Sequence, residues 1–223
     1  MYWEVELDKD KFIDLLRQTS REVGVSLNES QLELFWLYLQ ELLEWNKTFN
    51  LTGIKDPADI VIKNFVDSLT PLPYLKHSRR LLDIGSGAGF PAIPLKIAAP
   101  ELQIHIVDAR RKKTSFLKHL IRTLELKGVT AVHGRAEELE QPERPFQIII
   151  SRAFRRLEPL IKLVSPLMAA GTTLVAMLGP TSEAEQERFN DLAEAGNLKF
   201  NNVVSLELPR NRGGRTLLFL TKI

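Results

Sequence analysis

The chain contains no cysteine among its 223 residues. That excludes disulfides, thiolate metal sites and any reaction that runs through a cysteine nucleophile. No apolar run approaches the roughly 20 residues a membrane-spanning helix needs, so the chain is expected not to cross a bilayer. Met1 to Asp10 carries four acids and no apolar stretch, which argues against a secretory signal. The four histidines, His77, His105, His119 and His133, fall at no metal-ligand spacing, and structural roles are expected for them. These absences suit a cytoplasmic protein that uses no metal. Acidic charge is also missing locally. The formal net charge is only +2, yet Ala109 to Leu124 holds six Lys/Arg and no acid.

What is present divides the chain in two. Residues 1–70 read as helix. Phe12, Ile13, Leu15, Leu16, Thr19 and Val23 mark one amphipathic face ending at Gly24. Asn28, with Gln31 three residues on, reads as a capping box. The helix it opens keeps the helical period through Leu32, Phe35, Trp36, Leu39, Leu42 and Leu43 up to Trp45. Pro57 is placed to open a third helix, Pro57–Leu69, before Pro71 and Pro73 break the chain. From Arg79 short apolar runs alternate with helical stretches. The strand candidates are Arg80–Ile84, Gln103–Val107, Val129–His133, Phe146–Ser151, Thr172–Leu178, Val203–Leu208 and Thr216–Lys222. The front ones are short and do not alternate, as strands buried on both faces should be. Helices between them, notably Lys112–Leu126 and Leu157–Met168, predict right-handed crossovers and a mostly parallel sheet. Pro209–Gly214 is short enough to join the last two strands as an antiparallel hairpin.

The most informative stretch runs from Leu81 to Phe90, where a buried strand ends in Asp83 and a glycine-rich turn leads into a helix. Without a Cβ, Gly85, Gly87 and Gly89 let the backbone turn tightly and lie against a ligand. Open α/β sheets bind ligands at such a strand's carboxyl end. A dinucleotide fingerprint requires its third glycine at 90, which is Phe90; glycine stands at 89 instead. The resulting D-x-G-x-G-x-G resembles an adenosylmethionine site rather than a pyrophosphate site. A tight structural turn would show similar glycines, but the flanking strand and helix favour the ligand reading. Asp108 closes the second strand, where a carboxylate accepts hydrogen bonds from ribose hydroxyls; capping the next helix is its plainer alternative. Gly134-Arg135-Ala136-Glu137 follows the third strand and is placed to frame an adenine, although Glu137 reads equally as a surface helix residue. Ser151-Arg152-Ala153-Phe154 follows the fourth, where substrate-facing residues belong. The architecture expected is therefore a Rossmann-like S-adenosylmethionine-dependent methyltransferase fold: a doubly wound, seven-stranded α/β domain over 71–223, with a helical segment, 1–70, packed on it.

Three basic sets lie near this expected site: Arg110, Arg111 and Lys113 with their neighbours; Arg152, Arg155 and Arg156; and Arg210, Arg212 and Arg215. Each alone reads equally as a solvated face, and together they point to a phosphate-bearing substrate. Arg110, Arg111, Lys113, Arg155, Arg156 and Arg215 are the candidates for RNA contact. Two more absences narrow the reaction. The Asn/Asp-Pro-Pro-aromatic motif of exocyclic-amine methylation is missing after strand four, and pyrimidine carbon methylation lacks its cysteine. A ring nitrogen with a free lone pair, such as guanine N7, needs alignment rather than a base.

At this point the sequence resembles the bacterial methyltransferases that modify guanine N7 in 16S ribosomal RNA, formerly called glucose-inhibited division protein B. The likeness is carried by Trp45-Asn46-Lys47-Thr48-Phe49-Asn50-Leu51-Thr52, Asp67-Ser68-Leu69, Asp83–Pro94, Arg135-Ala136-Glu137 and Ser151-Arg152-Ala153-Phe154. The resemblance implies that Gly85, Phe90, Asp108, Ala136, Glu137 and Arg152 contact the methyl donor, S-adenosyl-L-methionine. Arg152 would lie between donor and RNA as a positioning residue, with ribosomal RNA or the small subunit as partner and a monomeric enzyme. Asn64 and Thr216 stand where the family usually has His, and Leu178 where it has Lys. Two other readings stay open on the residues alone. One is a methyltransferase of this fold with a different RNA or small-molecule target; the other is an RNA-binding protein that keeps the fold as a scaffold.

Overall fold

Asp8 starts α1 (Lys9–Glu22) by accepting from the Asp10 N–H, and the helix buries Phe12, Ile13, Leu15, Leu16 and Thr19. The structure, a computed structural model, describes residues 8–54, 56–75, 79–139, 144–152 and 156–223. α2 (Glu29–Phe49) opens on the reciprocal capping box of Asn28 and Gln31. It continues past Trp45, whose ring packs on Phe49, Phe116 and His119, and ends where Asn50 takes a left-handed conformation. The third expected helix is not uniform. α3 (Pro57–Ile60) passes into a π-helical turn, Val61–Val66, and then into α4 (Asp67–Leu69).

The alternating half comprises β1 (Arg80–Ile84), α5 (Ala92–Ala98), β2 (Gln103–Asp108), α6 (Arg111–Thr123), β3 (Val129–His133), β4 (Ile148–Ser151) and α7 (Leu157–Val164). β5 (Thr173–Leu178), α8 (Glu183–Glu187), α9 (Phe189–Ala195), β6 (Leu198–Glu207) and β7 (Gly214–Lys222) complete it. The sheet order is β3-β2-β1-β4-β5-β7-β6, with β7 antiparallel to both neighbours and the other pairs parallel. Strand order reverses between β1 and β4, which puts the switch point beside the glycine turn. β6 begins earlier than its alternation predicts. A register irregularity between Phe200 and Asn202 interrupts the period-two pattern there, while pairing with β7 extends back to Leu198.

Period-two alternation sorts the sheet into two cores. Leu81, Ile148, Ile150, Val175, Met177, Leu217 and Phe219 face α1, α2, α5 and α6. Leu82, Ile149, Leu174, Ala176, Leu218 and Leu220 face α7 and α9. The N-terminal helices are part of the first core rather than an addition to it. Phe12, Phe35, Tyr38 and Phe65 form one run of ring contacts that reaches Phe90 directly after the glycine turn. Each such side chain, fully buried, contributes about 1.5–3 kcal/mol.

Gly89 is where helix and turn press closest. Its φ is +104°, and a Cβ there would lie 2.7 Å from the Tyr38 hydroxyl and 2.8 Å from Ile93 Cγ1. Gly89→Ala is expected to destabilise the protein by about 2–4 kcal/mol, combining backbone strain with overpacking. Gly53→Ala, with nothing within 4 Å of its Cβ, serves as the control. Urea unfolding of both variants checks this; equal midpoints would mean the contact is not tight.

Candidate active site

Among the described residues, two of the cavities at the carboxyl ends of the strands take in the expected site residues. The first, about 540 Å³, is bounded by Gly85, Gly87, Asp108, Lys113, Ala136 and Glu137. Its wall is built by the turn after β1. Gly85 N–H donates to Val107 O at 2.9 Å, and Gly87 N–H to Asp108 Oδ2 at 2.9 Å. The other oxygen of Asp108 accepts from the Arg110 N–H at 2.8 Å. Asp108 therefore both pins the glycine turn and sets the entry to α6. Each of its oxygens keeps a second acceptor position. Gly87 has a φ of +62°, and the nearest atom to a Cβ at this position would be the Lys113 ammonium nitrogen, 3.6 Å away. The turn thus presents bare backbone to the cavity.

The second cavity, about 780 Å³, is bounded by Arg152, Arg156, Met177, Leu178, Pro180 and Phe189. It combines an apolar floor from β5 with guanidinium groups at its edge. Both volumes are in the range of small-ligand pockets.

Of the residues expected to touch the donor, Gly85, Asp108, Ala136 and Glu137 come together on the first cavity. Two do not line it. Phe90 is buried in the first core, stacked on Tyr38 with centroids 5.5 Å apart and packed on Phe65, because the turn carries its side chain inward to α2 and the π-helical turn. Arg152 lines the second cavity. Its guanidinium is drawn away from the first by Lys63 O at 3.0 Å, Asp67 Oδ2 at 3.2 Å and Asn64 Oδ1 at 3.2 Å, and lies 5.0 Å from the Phe90 ring centroid.

The basic candidates separate by burial. Arg110, Arg111 and Lys112 are exposed at the start of α6, and Arg156 is exposed at the start of α7. Lys113 is not a surface residue. It is buried, donates from Nζ to Leu51 O and borders the first cavity; burial lowers its pKa, with Asp108 acting against that shift. Arg215 is engaged as well, donating from Nε to Asp67 Oδ1 at 2.8 Å. Arg155 lies outside the described residues, as do Ala153, Phe154 and His77.

Lys113 gives the tryptophan-led segment that ends α2 and leads out of it a physical role. The Asn46 side chain accepts from Thr52 N–H at 2.9 Å and closes the chain after α2, which aims the Leu51 carbonyl at Lys113. Leu178 and Thr216 are direct partners across β5 and β7, and the Thr216 hydroxyl bonds that of Thr181 at 2.9 Å. The π-helical turn brings Lys63, Asn64 and Asp67 to Arg152; Lys63 was not singled out in the sequence, where Asn64 stood only as a departure from the family and Asp67 only as a motif position. Their separation from Arg152 along the chain leaves no local signal of the contact.

Comparison with known proteins places the chain in a family. A profile of the family described as rRNA small subunit methyltransferase G matches residues 31–212. Ribosomal RNA small subunit methyltransferase G of Bacillus mycoides (strain KBAB4) is 36% identical over 215 residues, covering 94% of this chain and 90% of that protein. Its namesake in Geobacter sp. (strain M21) is 39% identical over 208 residues, covering 93% and 96%. Among solved structures, a SAM-dependent methyltransferase from Aquifex aeolicus superposes with a TM-score of 0.58 at 14% identity, over 77% of this chain and 97% of that one.

Asp83, at the end of β1, is wholly buried. Its Oδ2 accepts from the Ala92 N–H at 3.1 Å, while Oδ1 and the neighbouring Ser86 hydroxyl lack well-formed hydrogen bonds among the described residues. Burial pushes the Asp83 pKa up to about 7, against the pull of Ser86 and the Ala92 N–H. The folded protein then holds a proton that the unfolded chain releases near pH 4. This group's contribution to stability accordingly falls as pH rises from about 4 to 7 and is level above that. Asp83→Asn should reduce that decline by on the order of 2–4 kcal/mol between pH 4 and 7.5. Denaturant unfolding of both proteins across this range measures it; parallel pH profiles would refute the buried-proton assignment.

Proposed function

The chain belongs to the rRNA small subunit methyltransferase G family, and on that premise we propose how its residues carry out methylation of guanine N7 in 16S ribosomal RNA. It is an S-adenosylmethionine-dependent methyltransferase. The observation that carries the site assignment is the bare glycine turn held to Asp108 at the switch point, beside a second cavity rimmed by arginine. The residues present fit the donor. Gly85 and Gly87 leave room for it, the remaining acceptor positions of Asp108 suit ribose hydroxyls, and Ala136 and Glu137 suit the adenine end. Bound S-adenosylmethionine supplies an electrophilic methyl group.

Guanine N7 attacks with a lone pair and loses no proton beforehand. The chain's part is therefore to align the acceptor base, exclude water and tolerate the charge that develops. The second cavity receives the base on its apolar floor, and Arg152 and Arg156 meet the adjoining phosphates. α6 extends this surface. Arg110, Arg111 and Lys112 crowd the positive end of that helix dipole with no acid in its first turn, an arrangement that an RNA phosphate relieves. The enzyme acts on cytoplasmic ribosomal RNA, and no helix among the described residues is long and apolar enough to cross a membrane.

Labelled methyl transfer to ribosomal RNA from a strain lacking the protein tests the assignment, with the label expected at N7 of a single guanine. Asp108→Ala should weaken donor binding by about 1–3 kcal/mol in calorimetry while the protein stays folded. Label on another atom overturns the N7 reading, and unchanged donor affinity overturns the ribose role. Charge reversal of Arg110, Arg111 and Lys112 together should flatten the salt dependence of RNA binding, by about 0.7–0.9 in log–log slope per lost phosphate contact. An unaltered slope would make these side chains a solvated face.

A further inference from the structure

The helix leading to Asp67 changes its hydrogen bonding where Arg152 meets it. In a continuous α-helix the Asp67 N–H would bond the carbonyl four residues back, that of Lys63. In the π-helical turn it donates to Ile62 O and Asn64 O instead. The Lys63 carbonyl, released from that bond, accepts from Arg152 Nη1 at 3.0 Å. Asp67, with 1% of its side chain exposed, accepts from the same guanidinium at 3.2 Å, and Asn64 Oδ1 takes its other amino group at 3.2 Å. Three acceptors on one turn of helix thus converge on one guanidinium. Isolated π turns of this kind recur at functional sites.

The same carboxylate is loaded from a second direction. Asp67 Oδ1 receives Arg215 Nε at 2.8 Å, from the start of β7. Earlier on the same helical segment, Asp59 pairs with Arg212 at 3.1 Å and Lys63 Nζ at 2.8 Å. A buried carboxylate between two guanidiniums gains Coulomb energy that offsets its desolvation only while both donors stay aligned. Arg152 is thereby fixed over Phe90, with one side on the cavity assigned to the acceptor base and the other on the residue that ends the glycine turn.

We propose that Asp67 is a positioning residue for methyl transfer, holding the Arg152 guanidinium at the boundary between donor cleft and acceptor cavity through the socket that the π turn opens at Lys63. This rests on the methyltransferase reading of the two cavities. Asp67 touches neither cavity's ligand, so its loss should act on the transfer step and leave the donor cleft as it is.

The test is a cycle of Asp67→Asn, Arg152→Lys and the double variant beside the unaltered protein. Single-turnover transfer is measured with donor and ribosomal RNA saturating, and donor affinity by calorimetry. Lysine keeps the charge but cannot reach Lys63 O, Asn64 Oδ1 and Asp67 Oδ2 together. Each single variant is expected to slow transfer about tenfold or more, with donor affinity within about twofold of the unaltered protein and the double variant no slower than the slower single. Transfer at the unaltered rate by folded Asp67→Asn, or a double variant slowed by the product of the singles, overturns the proposal. Should Asp67→Asn fail to fold, the cycle runs on Asn64→Ala and Arg152→Lys, with the same two criteria. If the methyltransferase reading itself fails, all four proteins are silent, the unaltered one included, and the proposal falls with it.

Discussion

Burying a carboxylate such as Asp67 costs several kcal/mol unless cations meet it in good geometry. Meeting that condition brings three distant pieces of chain to one point: the helical segment before the sheet, the end of β4 and the start of β7. Removing either guanidinium would leave the buried carboxylate with one cation where it has two. The N-terminal helices are tied into the fold by this pair of bonds as well as by the aromatic run from Phe12 to Phe90. They belong to the architecture of the site, because the turn that carries Asp67 also holds Arg152.

A second carboxylate organises the first cavity in a different way. Asp108 is bonded to two backbone N–H groups, one on the glycine turn and one at the entry to α6. It anchors local structure from both oxygens and borders the first cavity. Lys113 extends the same economy. It lies on α6 but turns inward to the loop after α2, so one helix has an exposed basic end and a buried ammonium beside the first cavity. Basic residues adjacent in sequence thus separate into different environments because the helical period points them in different directions.

Much of this architecture was legible from the chain alone, and the reasons are local. The capping box at Asn28 and Gln31, the apolar face of α1, and the short non-alternating strands each follow from contacts within a few residues. The D-x-G-x-G-x-G spacing is local as well, with positive φ at Gly85, Gly87 and Gly89, although glycine at 89 also answers to the remote Tyr38 on α2. Phe90 shows the limit of such reasoning. Its place beside the glycines is a matter of sequence, whereas the direction of its ring is set by α2 packing against the turn.

The sequence by itself determined the element order, the switch point and the residue types at the first cavity, because period and turn chemistry act over short separations. Only the tertiary structure decided which charges are solvated and which are paired. Arg152, Arg215 and Lys113 look alike in the chain as exposed basic residues, yet each is committed to an acceptor from a remote segment. The π turn that receives Arg152 was equally hidden, since its period differs from an α-helix only over Val61–Val66 and its effect is felt only when β4 arrives beside it. Long-range ion pairing is governed by burial and geometry, and both exist only once the chain has folded.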